Sequence, residues 1–245
     1  VLLISFALLI VVLLIFWRFD QDIKAASART TQGSKVIATH CGSIEYQEAG
    51  VGAPLLMVHG SGGGHDQGMA FAGALAQRGI RVIAMSRFGY LRTPMPADAS
   101  PAAQADAHVC LLDALGIQKA GILGASAGAP SAMQAALRHP DRVSALILLV
   151  PIAYKPGTAT DSSPPLSPMA QNTLMRLIGS DFVFWVAIKV ARNQIIKRVL
   201  ATPPELLVTA SAQERARVDA MVENILPVSV RSSGLRDDSV LGKSL

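Results

Sequence analysis

Ser126 stands in Gly124-Ala125-Ser126-Ala127-Gly128, between the apolar run Ala120-Gly121-Ile122-Leu123 and an alanine-rich stretch. Gly-x-Ser-x-Gly carries meaning where a strand turns sharply into a helix, because the turn lifts the serine hydroxyl out as a nucleophile. Small neighbours fit because such a turn is too tight for side chains, and Gly124 and Gly128 relieve its strain. Pro130 falls in the first turn of the following helix, where a missing N–H costs nothing, and His139-Pro140 ends it. The free N–H groups of that helix face Ser126 and favour negative charge on a tetrahedral intermediate. A turn serine without chemistry is the alternative, and the strand–turn–helix context favours the nucleophile. A second loop, His59-Gly60-Ser61-Gly62-Gly63-Gly64, is glycine-rich but lacks a following Lys-Ser/Thr, so it does not read as a phosphate cradle.

The elements that would position these loops alternate. Strands are expected over 36–39, 43–47, 54–58, 81–85, 121–124 and 143–150, with helices over 69–77, 101–115 and after Ser126. This pattern implies an α/β fold with a mainly parallel sheet covered on both faces. After Pro151 the alternation stops. A loop over 155–168, rich in Pro, Ser and Thr, leads to helical segments around 171–178, 182–198 and 212–226, which read as a lid.

Two things are attached to this domain. Val1 to Trp17 is apolar except for Ser5, and seventeen residues at about 1.5 Å rise nearly span a bilayer core. A cleaved signal sequence ending near Ala26-Ser27-Ala28 is the competing reading, but that site lies across Asp20, Asp22 and Lys24. The expected organisation is therefore a single-pass transmembrane anchor over 1–17, a linker over 18–34, a core over 35–150, a helical lid over 151–230 and a return towards the core over 231–245. Arg18, Lys24, Arg29 and Lys35 follow the anchor and lean the domain towards the cytoplasm. The net charge of +5 is scattered, so no nucleic-acid footprint is present. Cys41 and Cys110 show no metal spacing and no disulfide framework, and read as unpaired thiols. No metal site and no cofactor are expected, and the sequence leaves the oligomeric state open.

The order His59-Gly60-Ser61-Gly62-Gly63-Gly64, Ser86-Arg87-Phe88-Gly89-Tyr90, the serine elbow, then His139-Pro140-Asp141-Arg142-Val143 resembles α/β-hydrolase fold proteins. The likeness covers roughly residues 36–230 and is greatest to the lidded branch related to cofactor-free esterases, C–C hydrolases and perhydrolases. Haloalkane dehalogenases and epoxide hydrolases of that branch use an aspartate nucleophile, which Ser126 argues against. The resemblance implies an oxyanion site from the backbone N–H of Ala127 plus that of Ser61 or Gly62. It also implies a small-molecule ester or thioester substrate cleaved through a Ser126 acyl-enzyme. His59 and His65 are expected to shape the oxyanion loop, Asp66 to cap a helix, Arg87 to pin its own loop, and Tyr90 to line or miss the pocket with even expectation.

The partners of the serine are not visible. The fold orders them as Ser, acid, His, and the histidine that follows Ser126 is His139, about 20 Å along the same helix. No carboxylate follows the sixth strand, and Asp237 and Asp238 sit in a polar tail without a preceding apolar strand. No triad acid or base is identified. The continuously apolar 145–150 run reads as a strand buried on both faces, so the chain is expected to be a fragment lacking its last strands, prone to aggregate alone. Losing the base costs on the order of 10⁶ in kcat, so this fragment is expected to be nearly inert. The alternative is a non-catalytic binding protein with a hydrolase-like pocket. Finally, Phe182, Phe184 and Trp185 lie near Lys189, Arg192, Lys197 and Arg198, a mixture that suits either a membrane interface or a helix packed on its own core with a solvated basic face.

Overall fold

The computed structural model describes residues 2–152 and 167–244. In chain order it contains α1 (Leu2–Thr31), β1 (Lys35–Thr39), β2 (Gly42–Ala49), β3 (Ala53–Val58), α2 (His65–Ala72), β4 (Ile80–Met85), α3 (Pro101–Ala114), β5 (Ala120–Ala125), α4 (Ala129–Arg138) and β6 (Val143–Leu149). Then follow α5 (Pro168–Ile178), α6 (Asp181–Val190), α7 (Arg192–Val199), α8 (Leu206–Thr209), α9 (Ala212–Glu223) and α10 (Ser232–Ser244). These elements form two compact units, Val1–Gln32 with Leu177–Ser229 and Gly33–Arg176 with Val230–Leu245.

The second unit holds one sheet in the order β1-β2-β4-β3-β5-β6. β1, β2 and β4 pair antiparallel in sequence, and β4, β3, β5 and β6 pair parallel. Alternation along β3 separates the two cores, because successive side chains of a strand point to opposite faces. Leu56 joins Ile83, Ile122, Leu111, Leu112 and Ala132 on the face covered by α3 and α4, while Met57 joins Val82, Ala84 and Ala72 under α2. Each fully buried Leu or Ile contributes about 1.5–3 kcal/mol. α3 begins where its sequence says it should: the Ser100 hydroxyl accepts from the Ala103 N–H and Pro101 occupies the first turn. The helix expected over 69–77 starts earlier, at His65, and passes into a 3-10 segment at Gly73. β6 is the outer strand among the described residues, and Leu146, Ile147, Leu148 and Leu149 are exposed on both of its faces.

Three expectations change here. The linker over 18–34 is helix to Thr31, because Arg18–Asp22 (3.1 Å) and Asp20–Lys24 (2.7 Å) pair one turn apart and Ala25, Ala26 and Ala28 favour helix. Residues 232–244 are helical and belong to the sheet-bearing unit. Cys41 and Cys110 are not free thiols: they form a disulfide, with His40 Nε2 3.1 Å from Cys110 Sγ. Their separation of 69 residues hid a pairing that exists because the β1–β2 turn lies against α3. Most of the loop expected over 155–168 lies outside the described residues.

In the first unit α6 packs on α1. Phe182 stacks on Phe16 (5.3 Å) and meets Phe19 edge-on (5.1 Å), and Trp185 meets Phe19 (5.7 Å). The Trp185 indole N–H donates to Asp22 (2.9 Å), and Lys189 lies 3.5 Å from the same carboxylate. Phe184, Trp185 and Ile188 are buried. α1 carries an exposed apolar stretch of mean hydropathy 2.3, long enough to cross a membrane.

Candidate active site

The parallel strands β3 and β5 lie side by side where the chain order reverses, the crevice at which ligands bind in open α/β sheets. The loop after β3 and the turn after β5 both open there. Ser126 has φ +47°, the left-handed region, at the first residue after β5. A non-glycine residue is held there only by its surroundings, and those surroundings are glycines. A Cβ at Gly128 would stand 2.5 Å from the His59 carbonyl oxygen, and one at Gly124 would stand 2.6 Å from Ala132 Cβ. Gly60 brings the β3 loop against the serine, since a Cβ there would lie 3.1 Å from Ser126 Cβ.

The loop itself is tied from several sides. His59 Nδ1 donates to the Gly60 carbonyl (2.7 Å) and Nε2 accepts the Arg87 N–H (2.9 Å). Burial, then the Arg87 charge, holds this imidazole neutral, well below its ordinary pKa. The Gly60 N–H donates to Gln67 Oε1 (3.0 Å), and the Gly62 N–H reaches the Tyr90 hydroxyl (3.4 Å). Among the described residues, no protein acceptor takes the Ser61 N–H. Beside Ala127 a small recess of about 10 Å³, room for roughly one water, is lined by Arg87, Phe88, Gln104, Ser131 and Asp237, among others. Arg87 Nε and Gln104 Nε2 are buried donors without a partner among the described residues.

The residue that the sequence concealed is Asp238. It is 6% exposed and receives Arg87 Nη1 (2.9 Å) and Nη2 (2.7 Å), the Ser61 hydroxyl (2.7 Å) and the Tyr90 hydroxyl. Arg231, from the same C-terminal segment, donates to the Gly63 carbonyl (2.6 Å) and pairs with Asp66 (2.6 Å). Burial alone would raise the Asp66 pKa, but Arg231 outweighs it and the pKa is lowered. Asp66 thus serves an ion pair in the first turn of α2, with no side-chain cap there. Arg87 holds α10 rather than its own loop, and Tyr90 is buried beneath it. The signal was short: the pair Asp237-Asp238 after Arg231 looked like tail because no apolar strand preceded it.

All five histidines are engaged elsewhere than on Ser126. His40 lies at the disulfide, His59 and His65 brace the β2–β4 side, His108 Nε2 meets Ser131 Oγ (3.1 Å), and His139 pairs with Asp106 (2.7 Å) at the end of α4. Asp141 does not pair with Arg142, which reaches Asp113 instead (2.5 Å). Among the described residues Ser126 Oγ has no recorded hydrogen bond, and no histidine–carboxylate relay ends on it.

Strand-turn-helix geometry at a left-handed serine, set against a glycine loop at the switch point of a mostly parallel sheet, is the architecture of the α/β-hydrolase fold. Residues 53–191 match the alpha/beta hydrolase fold family, and the chain belongs to it. It is 37% identical over 131 residues to a 2-hydroxymuconate semialdehyde hydrolase of Pseudomonas putida, covering 50% of this chain and 47% of that one. It is also 37% identical over 123 residues to an epoxide hydrolase of Caballeronia sordidicola, covering 49% and 37%. An alpha/beta hydrolase fold protein from Nakamurella multipartita superposes with a TM-score of 0.65 at 28% identity, covering 86% of this chain and 75% of that chain. The chain spans about half the length of the curated relatives it matches most strongly.

Proposed function

We propose that this chain carries the nucleophile half of a membrane-anchored serine hydrolase that cleaves ester, thioester or similar acyl substrates through a Ser126 acyl-enzyme. The observation that carries the reading is Ser126 at φ +47° beside the glycine loop. The N–H groups of Ser61 and Ala127 are assigned to the oxyanion. Gly62 is set aside because its N–H already faces the Tyr90 hydroxyl. Serine, rather than aspartate, sets the reaction apart from epoxide opening by an aspartyl ester.

Ser126 needs a general base, and none of the five histidines is placed to serve, so the reading assigns the base and its acid to residues outside these 245. The same observation favours a second reading, a non-catalytic protein that uses the pocket to bind. Labelling by a fluorophosphonate separates them. Strong labelling of the protein in its native membrane, abolished in Ser126→Ala, is expected; labelling that survives Ser126→Ala, or is absent throughout, sinks the serine-hydrolase reading.

In this reading α1 is the anchor, its helix continuing past the apolar stretch to Thr31, and helices of the 151–230 region form the lid. The Cys41–Cys110 disulfide supports a domain on the oxidising side of the membrane in this reading, because thiols in the cytosol are kept reduced. It runs against the lean given by Arg18, Lys24, Arg29 and Lys35.

A further inference from the structure

The contacts between α1 and α6 advance in step. Phe16 meets Phe182, Phe19 meets Phe182 and Trp185, and Asp22 meets Trp185 and Lys189. The two helices therefore run in the same direction, and each residue of α6 shares a level with a known residue of α1. Phe16 lies inside the apolar run that ends at Trp17. If α1 spans a bilayer, as the proposed function has it, a ring stacked 5.3 Å from Phe16 lies at the hydrocarbon boundary as well.

We infer that the N-terminal turn of α6, through Phe182 and Val183, is a membrane-docking element that sits in the interfacial region of the lipid bilayer beside the anchor. Its composition fits that place. Phe16, Phe19, Phe182 and Trp185 form an aromatic cluster of the kind that favours the membrane–water boundary, and Trp17 beside Phe16 is exposed. Val183 is 40% exposed, and Leu177 and Ile178, just before α6, are exposed too. Polar partners begin one level further out: Arg18 pairs with Asp22, and Lys189 lies over the Trp185 ring (5.8 Å). Asp181, the acidic group nearest the docking turn, is taken up by the Ser229 N–H and hydroxyl. The partner is lipid at the acyl–headgroup boundary. α6 then climbs away from it, so that Val190, on the same helical face, stands about 10 Å further from the membrane than Val183.

The test uses the full chain in phosphatidylcholine vesicles with lipids brominated either near the headgroup or near the chain end. Trp17 and Trp185 are the two tryptophans, so Trp17→Phe leaves Trp185 as sole reporter and Trp185→Phe leaves Trp17. Trp185 is expected to be quenched several-fold more by the shallow bromines than by the deep ones. An environment-sensitive NBD dye on Val183→Cys should shift to the blue in vesicles, while the same dye on Val190→Cys should report water. Two outcomes overturn the inference separately from the anchor: Trp17 quenched with Trp185 untouched, or NBD at position 183 in water. Trp17 beyond the reach of both bromines refutes the anchor itself and the docking with it. The exposed Val183 site keeps the test decisive if Trp185→Phe folds poorly.

Discussion

Replacing Asp238 with alanine strips the buried Arg87 guanidinium of both of its bonds and removes one acceptor each from Tyr90 and Ser61. Arg87 Nε already has no partner, so the variant leaves a whole cation buried and unpaired. Removing one member of a buried ion pair costs about 3–5 kcal/mol. Two lost hydroxyl bonds would add about 1 kcal/mol each in isolation, but all four contacts share one carboxylate and do not sum. A loss of about 4 kcal/mol is expected, a large part of the roughly 5–15 kcal/mol that holds a domain folded. Urea unfolding of the detergent-solubilised chain, followed by circular dichroism at pH 7, measures it. Arg87→Met should cost a similar amount, and the double variant should cost at least about 2 kcal/mol less than the sum, because apolar replacement of both partners removes the stranded charge. Hydrogen exchange should also quicken over residues 60–64 in Asp238→Ala while the β3–β5 core stays protected. A loss under about 1 kcal/mol, or strict additivity in the cycle, would refute the reasoning.

Two further outcomes follow from other parts of the molecule. The disulfide closes a loop of 69 residues, worth about 4 kcal/mol in the chain-entropy account; Cys110→Ser or added reductant should lower the melting temperature by about 10 °C, and an unchanged melt counts against the bond. His59 and His108 are both buried and neutral, desolvation holding His59 well below 6.5 and His108 at about 3. The unfolded chain therefore takes up these protons first. Stability present above pH 6.5 is lost as pH falls, by roughly 2 kcal/mol for His108 at pH 5, with His59 acting in the same direction. His108→Gln should flatten that slope by the His108 share in denaturant titrations, and a pH-independent midpoint between 7.5 and 5 would contradict the assignment.

Local patterns were legible where one element sufficed to define them. The six strands follow from apolar runs bounded by turn residues, and the serine elbow follows from glycines whose missing side chains the backbone of Val58 and His59 requires. α3 was marked by Ser100-Pro101. What was not legible depends on residues brought together across the fold. Asp238 reads as tail polarity until α10 is laid against Arg87, 151 residues away. Cys41 and Cys110 lack any spacing rule, because the sheet decides that their elements meet. Arg18, Asp20, Asp22 and Lys24 look like linker polarity, yet their one-turn spacing continues α1. The apolar run of β6 reads as a strand that calls for a neighbour on its far edge, and among the described residues it is the outer strand with its side chains exposed.

The two carboxyl-proximal ties, Asp238 to Arg87 and Arg231 to Asp66, also set an order of events during synthesis. The glycine loop and Arg87 leave the ribosome long before α10 does, by 151 residues for the Arg87–Asp238 pair. At about 5–20 residues per second this is a wait of roughly 8–30 s. Over that interval a cation destined for burial has no counter-ion, and the loop beside Ser126 lacks its clasp. The nascent chain is thus expected to keep this loop mobile and open to chaperones or proteases until α10 arrives, so that the loop becomes rigid only once α10 has been made.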